Sequence, residues 1–296
     1  MPILSLQNVV KQYHNHRAVD NVSFDVQKER IFGLLGPNGA GKTSLIRIIT
    51  TITGADSGTI LIDGEPLSIH HPKEIGYMPE ERGLYKKMKV GEQLQYLAEL
   101  KGLSTKDARS KIEHWLKKFE ITDWWNKKIE ELSKGMQQKI QFVATVVHEP
   151  KLIILDEPFT GLDPINTNLI KDEIEQLRQN GASIIFSTHR MEQVEEICED
   201  IVLINSGSVV IDGTVAEVKH RFKENKYKIE FEGDKIPDFN QFNVSEKTKN
   251  SITIQLAKNI DGNEILKHAV SYGTHIVSFN EILPSLNDIF IKQVRP

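Results

Sequence analysis

The stretch that decides the fold is residues 31–49, with the sequence IFGLLGPNGAGKTSLIRII. Its first five residues offer apolar side chains to both faces, which is typical of a buried strand in a parallel sheet. The next eight residues match the pattern G-x-x-x-x-G-K-[ST], and residues 44–49 continue with helical character. Because this motif requires a strand before it and a helix after it, the stretch predicts a phosphate-binding loop rather than a glycine-rich turn that binds nothing.

This phosphate-binding loop, residues 36–43, predicts a site for Mg-ATP and its hydrolysis. Its glycines let backbone N–H groups converge on phosphate oxygens, and the following helix points its positive end at the same oxygens. Lys42 can reach the β- and γ-phosphates, and Thr43 offers a hydroxyl to Mg²⁺. We expect Lys42 to serve in catalysis as well as in binding. The residues predicted to contact the nucleotide here are Gly36, Pro37, Asn38, Gly39, Ala40, Gly41, Lys42, Thr43 and Ser44.

A second apolar run, residues 152–155, ends in the pair Asp156-Glu157. A carboxylate at the end of a buried strand can hold Mg²⁺, so Asp156 is the candidate metal ligand. Glu157 is the candidate base for the attacking water. Neighbouring strand residues point to opposite faces, but a turn of the backbone at the strand end would let both carboxylates face the site.

Alternating strands and helices between residues 31 and 204 predict an α/β core with a mostly parallel sheet. The segments 3–9 and 22–26 precede it as short strands of an antiparallel β subdomain, and residues from about 84 to 148 predict a helical insertion. The residues Asn205-Ser206-Gly207 between two short strands indicate a hairpin. We place the first domain at residues 1–218.

A second series of predicted strands and helices begins after residue 220. Residues 219–228 are rich in charge and predict a linker. Strands at 227–231, 251–256 and 276–279 and helices at 263–270 and 286–294 then predict a small α+β domain, residues 222–296.

Composition limits the function further. The chain carries 37 basic and 41 acidic residues, a net charge of -4, which argues against a mainly electrostatic grip on nucleic acid. Its single cysteine, Cys198, allows no intrachain disulfide and reads as a small buried residue. No secretory signal is evident and no apolar run approaches the ~18 residues of a membrane span, so we expect any membrane role to come through a partner.

At residues 132–137, LSKGMQ, the sequence resembles the signature L-S-G-G-Q of the ATP-binding cassette (ABC) ATPases, and the resemblance spans about residues 3–215. Ser133 and Gly135 match the signature and Ser133 is placed to cap a helix, whereas Lys134 and Met136 depart from it. The resemblance implies that this helix end contacts the γ-phosphate held by the opposite subunit.

Other positions fit the same family. Asp163, in Gly161-Leu162-Asp163, resembles the loop that crosses the dimer interface, and His189 resembles the histidine that senses the γ-phosphate. Tyr13 occupies the place of the aromatic residue that stacks on adenine, and the neighbouring His14 is the less favoured candidate for this contact. The pair His70-His71 is predicted to lie on the surface. Glu80 departs from the family, which usually has a glutamine here. Our hypothesis is that Glu80 takes over this contact to the metal or its water and tightens the Mg²⁺ dependence.

Residues 80–85, EERGLY, and 283–290, LPSLNDIF, narrow the resemblance to bacterial ATP-binding subunits of the sodium-exporter-like kind, which carry a C-terminal domain of unknown function. This implies a head-to-tail dimer with a second copy or a paralogous subunit. It also implies a membrane-spanning permease as partner, and a cytoplasmic location on the inner face of the membrane through that permease.

Two other interpretations remain. A soluble, non-transport ABC ATPase acting on a macromolecular assembly is disfavoured by the single cassette, the lack of a long heptad arm and the negative charge. A module that binds ATP without turning it over is disfavoured because Glu157 and His189 are both present.

Overall fold

The computed structural model describes residues 1–81, 83–233, 238–257 and 260–294, so Arg82, within the EERGLY run, lies outside the described residues. The chain forms two compact units, Met1–Thr214 and Val215–Pro296. In the described residues no helix combines the length and apolar character that a bilayer span requires.

The first unit contains two sheets and a set of helices. Its strands are β1 Pro2–Tyr13, β2 His16–Gln27, β3 Ile31–Leu35, β4 Ser57–Ile62, β5 Glu65–Pro66, β6 Ile75–Met78, β7 Leu152–Asp156, β8 Ser183–Thr188, β9 Asp200–Asn205 and β10 Ser208–Thr214. Its helices are α1 Lys42–Ile49, α2 Val90–Leu100, α3 Thr105–Lys118, α4 Lys134–Val146, α5 Pro164–Gln179 and α6 Met191–Ile197. The predicted fold class is confirmed.

The larger sheet has the order β10-β9-β3-β8-β7-β6, and only its edge pair β9–β10 is antiparallel. Every residue of β3, β7 and β8 is buried, as expected for strands covered on both faces. Since parallel strands end at one edge of a sheet, the segments that follow β3, β6, β7 and β8 meet there. These four strand ends carry the phosphate-binding loop, Glu80, the Asp156-Glu157 pair and His189.

The second sheet is antiparallel, in the order β2-β1-β4-β5. Helix α1 packs between the two sheets, because its Leu45, Ile46, Ile48 and Ile49 belong to one buried cluster with side chains of β1 and β3. The phosphate-binding loop therefore enters a helix that is fixed on both sides.

The predicted helical insertion corresponds to α2, α3 and α4. Helix α3 begins with the side chain of Ser104 accepting a hydrogen bond from the Asp107 N–H, and α4 begins with Ser133 accepting from the Met136 N–H at 3.3 Å. The predicted cap at Ser133 is confirmed.

The second unit contains α7 Val215–Arg221, β11 Lys226–Glu232, β12 Asn243–Lys247, β13 Ser251–Gln255, α8 Asn263–Ser271, β14 His275–Ile282 and α9 Leu286–Val294. Its sheet has the order β12-β13-β11-β14. A core of its own includes Ile229, Phe231, Ile254 and Ile265.

The linker predicted at residues 219–228 is wrong, because α7 and β11 occupy most of it. Val218 anchors α7 in the interior, and Ile229 and Phe231 anchor β11. Lys228, at the end of the charged run, forms an ion pair with Glu230 on the other face of β11, so part of the charge that suggested a linker belongs to a strand. The units divide after Thr214, four residues before the predicted end of the first domain. Strand β12 was not predicted.

Candidate nucleotide-binding and catalytic site

The phosphate-binding loop is shaped by two close backbone approaches. A Cβ atom on Gly41 would lie 2.2 Å from the carbonyl oxygen of Ala18, and Gly41 has a positive φ of 110°. A Cβ on Gly36 would lie 2.2 Å from the carbonyl oxygen of Ile204. Only glycine fits at both positions, so the spacing of the motif follows from contacts with β2 and β9 as well as from room for a ligand.

The hairpin between β9 and β10 also supports the loop. The Gly207 N–H donates to the Ala40 carbonyl at 2.9 Å, and the Asp20 N–H donates to the Gly207 carbonyl at 2.8 Å. These bonds connect the loop to strands of both sheets.

Lys42 is held inside the loop. Its Nζ donates to the carbonyl of Gly36 at 2.6 Å and to that of Pro37 at 3.1 Å. Burial lowers the pKa of Lys42, and the nearby carboxylates of Asp156, Glu157 and Glu80 oppose that shift. The ammonium thus faces three acidic side chains across the site.

Asp156 is the last residue of β7 and is 6% exposed. Burial raises the pKa of its carboxyl; Glu80 and Glu157 raise it further, while Ser187 and the Lys42 ammonium oppose the shift. A cation at this carboxylate would relieve its desolvation and the repulsion from its acidic neighbours.

Glu157 turns back toward the same side of the sheet as Asp156. Its φ of 51° lies in the left-handed region, and its N–H donates to the Ser187 carbonyl at 2.9 Å. This is the strand-end turn on which the sequence interpretation depended, and both carboxylates line one cavity.

The Glu157 carboxylate has three partners at the end of β8, on Thr188 and His189. Thr188 Oγ1 donates to Oε2 at 3.1 Å, and the His189 N–H donates to Oε1 at 2.9 Å. His189 Nδ1 lies 2.6 Å from the same Oε1. Because an ionised carboxylate only accepts, Nδ1 carries the hydrogen, and in the neutral ring Nε2 is left as an acceptor.

These side chains surround one cavity of about 400 Å³. It is lined by Tyr13, His16, Ala18, Asn38, Gly39, Ala40, Gly41, Lys42, Thr43, Ser44, Glu80, Asp156, Glu157 and His189. Gly36 and Pro37 are not in the lining but hold Lys42 through their carbonyls. The structure thus brings together the predicted base, the predicted metal ligands and the phosphate-binding loop.

His16 and Ala18 were missed. Tyr13 pairs with His16 across the β1–β2 turn, which brings His16 to the cavity wall. No nucleotide-binding motif includes His16 or Ala18. Only the pairing register of the β1–β2 hairpin could have indicated that they lie at the cavity.

Ser133, Gly135 and Asp163 do not line this cavity. Asp163 Oδ1 accepts from the Asn166 N–H at 2.8 Å and so caps α5. A Cβ on Gly135 would lie 3.1 Å from the Gly161 carbonyl oxygen, so the start of α4 packs against the loop that contains Asp163. The signature and this loop form one surface, separate from the chain's own phosphate-binding loop.

The donor set suits Mg²⁺. Thr43, Asp156 and Glu80 offer only oxygen atoms, the ligands that this ion prefers. The described residues contain no cluster of three or more His, Cys, Asp or Glu side chains that would form a metal cage. Mg²⁺ is commonly held by one or two carboxylates together with the phosphates of a substrate.

Comparison with known proteins decides the family. A family model described as ABC transporter matches residues 19–160, and one described as the C-terminal domain of DrrA1-3-like ATP-binding proteins matches residues 213–294. The chain is 42% identical over 294 residues to YhaQ of Bacillus subtilis strain 168, an uncharacterized ABC transporter ATP-binding protein, across 99% of this chain and 98% of YhaQ. The chain belongs to the ABC transporter ATP-binding proteins.

Other ABC transporter ATP-binding proteins resemble it over about three quarters of its length. The lipopolysaccharide export system ATP-binding protein LptB of Haemophilus influenzae is 33% identical over 224 residues, covering 74% of this chain and 93% of LptB. A solved ATP-binding subunit of an ABC transporter superposes with a TM-score of 0.70 at 29% identity, covering 74% and 93% of the two chains. The resemblance drawn from the signature and the expectation of a C-terminal domain are confirmed, and the chain is a nucleotide-binding member of the ABC ATPases.

Proposed function

We propose that this protein hydrolyses Mg-ATP in the cavity at the phosphate-binding loop and thereby powers a membrane-spanning exporter. The observation that carries the proposal is the meeting of Lys42, Asp156, Glu157 and His189 at one cavity wall, with Glu157 bound to His189. Each of these side chains has a separate part in phosphoryl transfer to water.

Lys42 and the loop N–H groups bind the β- and γ-phosphates and offset the charge that develops there. Asp156, Thr43 and Glu80 would hold Mg²⁺ or its water, and the ion would supply neutralisation of the phosphate charge. Glu157 accepts the proton of the attacking water. His189 orients Glu157 through Nδ1 and presents Nε2 toward the γ-phosphate. When the ring is protonated, Nε2 carries a hydrogen that it can donate.

The site is one half of a composite site. Ser133, Gly135 and Asp163 lie on a surface outside the cavity, which supports a head-to-tail dimer in which they complete the partner's site. ATP would make contacts with both subunits that ADP lacks, so it would favour the closed dimer, and hydrolysis would release it. The partner is a second copy of this chain or a paralogous subunit.

The transport role rests on the family and on the export function in the name of LptB. We propose that a permease binds the first unit and holds the protein at the inner face of the cell membrane, in the cytoplasm. A soluble ABC ATPase acting on a macromolecular assembly is the competing function.

The test is co-expression with a candidate permease followed by membrane fractionation and an ATPase assay. We expect this protein to pellet with membranes only when the permease is present and to hydrolyse ATP in the purified complex. A protein that stays in the supernatant with its permease contradicts the transport role. A complex without Mg²⁺-dependent turnover contradicts the ATPase mechanism.

A further inference from the structure

Helix α4 carries two buried glutamines that reach the segments bearing two of the site's carboxylates. Gln138 is 3% exposed, and its Nε2 donates to the Pro158 carbonyl at 2.9 Å. Gln141 is 4% exposed, and its Nε2 donates to the Pro79 carbonyl at 2.7 Å. Pro158 directly follows Glu157 and Pro79 directly precedes Glu80, so each amide fixes a peptide group next to a carboxylate of the site.

The same helix starts at the signature. Ser133 is its cap, and Gly135 packs against the Gly161 carbonyl. Gln137 Nε2 donates to the carbonyls of Ile129 and Leu132 at 3.1 and 3.0 Å, which fixes the segment that leads into the signature. Gln141 lies eight positions after Ser133, which corresponds to about 12 Å along the α-helix.

Gln138 and Gln141 are three residues apart and so share one face of α4. A shift or rotation of the helix that begins at Ser133 therefore moves both amides together, and each amide moves the carbonyl to which it is bound. The arrangement joins the signature surface to Glu157 and Glu80 within one rigid element.

We propose that Gln138 and Gln141 are positioning residues that transmit contact between Ser133 and the partner's nucleotide to Glu157 and Glu80 of their own subunit. The proposal rests on the head-to-tail dimer of the proposed function. Each nucleotide then influences the carboxylates of the other site, and because coupling free energies are reciprocal, ATP binding at the two sites is cooperative. Gln141 affects metal binding through Glu80, and Gln138 affects the catalytic base through Glu157.

If Gln138 and Gln141 had a purely structural role, any loss of function on their replacement would come with a loss of stability. A glutamine amide has four hydrogen-bonding positions, and Gln141 Oε1 is buried without a hydrogen-bond partner among the described residues. Methionine is an unbranched apolar side chain of similar volume. Replacing Gln141 with it removes both the unpaired buried Oε1 and the hydrogen bond to Pro79, so the two effects on stability oppose each other. Loss of function without loss of stability therefore separates positioning from packing.

The experiment compares Gln138→Met and Gln141→Met with the control Gln95→Met. Gln95 also lies in the helical insertion, and its side-chain amide donates to the Thr105 carbonyl at 2.9 Å. Thr105 is not next to Glu80 or Glu157 in the sequence. Three quantities are measured on the full-length protein: the melting temperature, the affinity for Mn²⁺ in the presence of a non-hydrolysable ATP analogue, and the ATP dependence of hydrolysis.

We expect all three variants to melt close to the wild type. Gln141→Met weakens Mn²⁺ binding by about tenfold, as loss of a supporting contact around a metal site does, whereas Gln138→Met keeps Mn²⁺ affinity and lowers kcat by about tenfold. Both variants bring the Hill coefficient for ATP, above 1 in the wild type, down to about 1. Gln95→Met matches the wild type in every measurement.

Unchanged Mn²⁺ affinity in Gln141→Met overturns the inference even in a protein that does not turn over ATP, since that measurement needs no hydrolysis. A wild-type Hill coefficient of 1, or a kcat loss that only follows a fall in melting temperature, also overturns it. Absence of hydrolysis in the wild type and its permease complex instead contradicts the proposed function.

Discussion

His189 Nδ1 lies 2.6 Å from Glu157 Oε1, and the His189 N–H donates to the same oxygen at 2.9 Å. The residue after β8 thus fixes the carboxylate after β7 with both its ring and its backbone. Replacement by alanine keeps the backbone bond and removes the ring.

We expect His189→Ala to lower kcat by about 10²- to 10⁴-fold, the usual contribution of a group that takes part in proton transfer. The affinity for ATP stays near the wild-type value, because the loop that binds the phosphates is untouched. Steady-state hydrolysis and equilibrium binding of a fluorescent nucleotide separate the two effects, with His70→Ala as the surface control. Equal loss of binding and turnover would assign His189 to binding.

Glu80 lines the cavity together with Asp156 and raises the pKa of that carboxyl. We expect Glu80→Gln to increase the Mg²⁺ concentration needed for half-maximal hydrolysis by several-fold, since a neutral amide oxygen attracts the ion or its water less than a carboxylate does. The matched control is Glu81→Gln, which removes an exposed charge from the next residue. If Glu80→Gln leaves both the Mg²⁺ requirement and the turnover unchanged, the hypothesis about Glu80 is wrong.

Tyr13 is 38% exposed at the rim of the cavity, where its ring is available to a base. Base stacking on an aromatic ring contributes about 1–3 kcal/mol, so Tyr13→Ala should weaken ATP binding about 5- to 150-fold. Tyr13→Phe keeps the ring and should bind as the wild type does. Titration calorimetry measures both variants, and equal affinities for all three proteins would exclude stacking at this position.

His148 lies outside the site, and its burial predicts that the protein loses stability at acid pH. Burial, with the Lys101 ammonium adding to it, lowers the pKa of His148 to about 4. The unfolded chain titrates near pH 6.5. Above that pH the ring is neutral in both states and adds no pH dependence. As the pH falls from about 6.5 to about 4, the unfolded chain binds a proton at His148 that the folded protein does not, so stability declines by about 1–3 kcal/mol.

We therefore expect the melting temperature of the wild type to fall between pH 7 and pH 5 by more than that of His148→Leu. Thermal denaturation across this range measures the difference. His220→Leu is the control for loss of a histidine elsewhere. Parallel pH profiles for the wild type and His148→Leu would show that His148 is not the sensitive group.

Much of the fold and site was predictable because short motifs fix local backbone. The phosphate-binding loop, the strand before Asp156 and the cap at Ser133 each rest on a few adjacent residues. What escaped prediction depends on contacts distant in sequence. Gln138 and Gln141 meet carbonyls 20 and 62 residues away, and no pattern within α4 indicates which partners a buried amide finds. The linker at 219–228 was predicted wrongly because charge alone does not distinguish a solvated strand face from a loop.

The proposed composite site is tested most directly by the mass of Glu157→Gln in solution with Mg-ATP, measured by light scattering coupled to gel filtration. Without its base the variant should bind ATP and retain it, so the closed state accumulates. The mass should double in ATP, remain monomeric in ADP, and remain monomeric in ATP when Ser133→Arg is added to block the signature surface. A Glu157→Gln protein that stays monomeric with bound ATP would contradict a composite site formed by two copies of this chain, and one that still hydrolyses ATP rapidly would contradict Glu157 as the base.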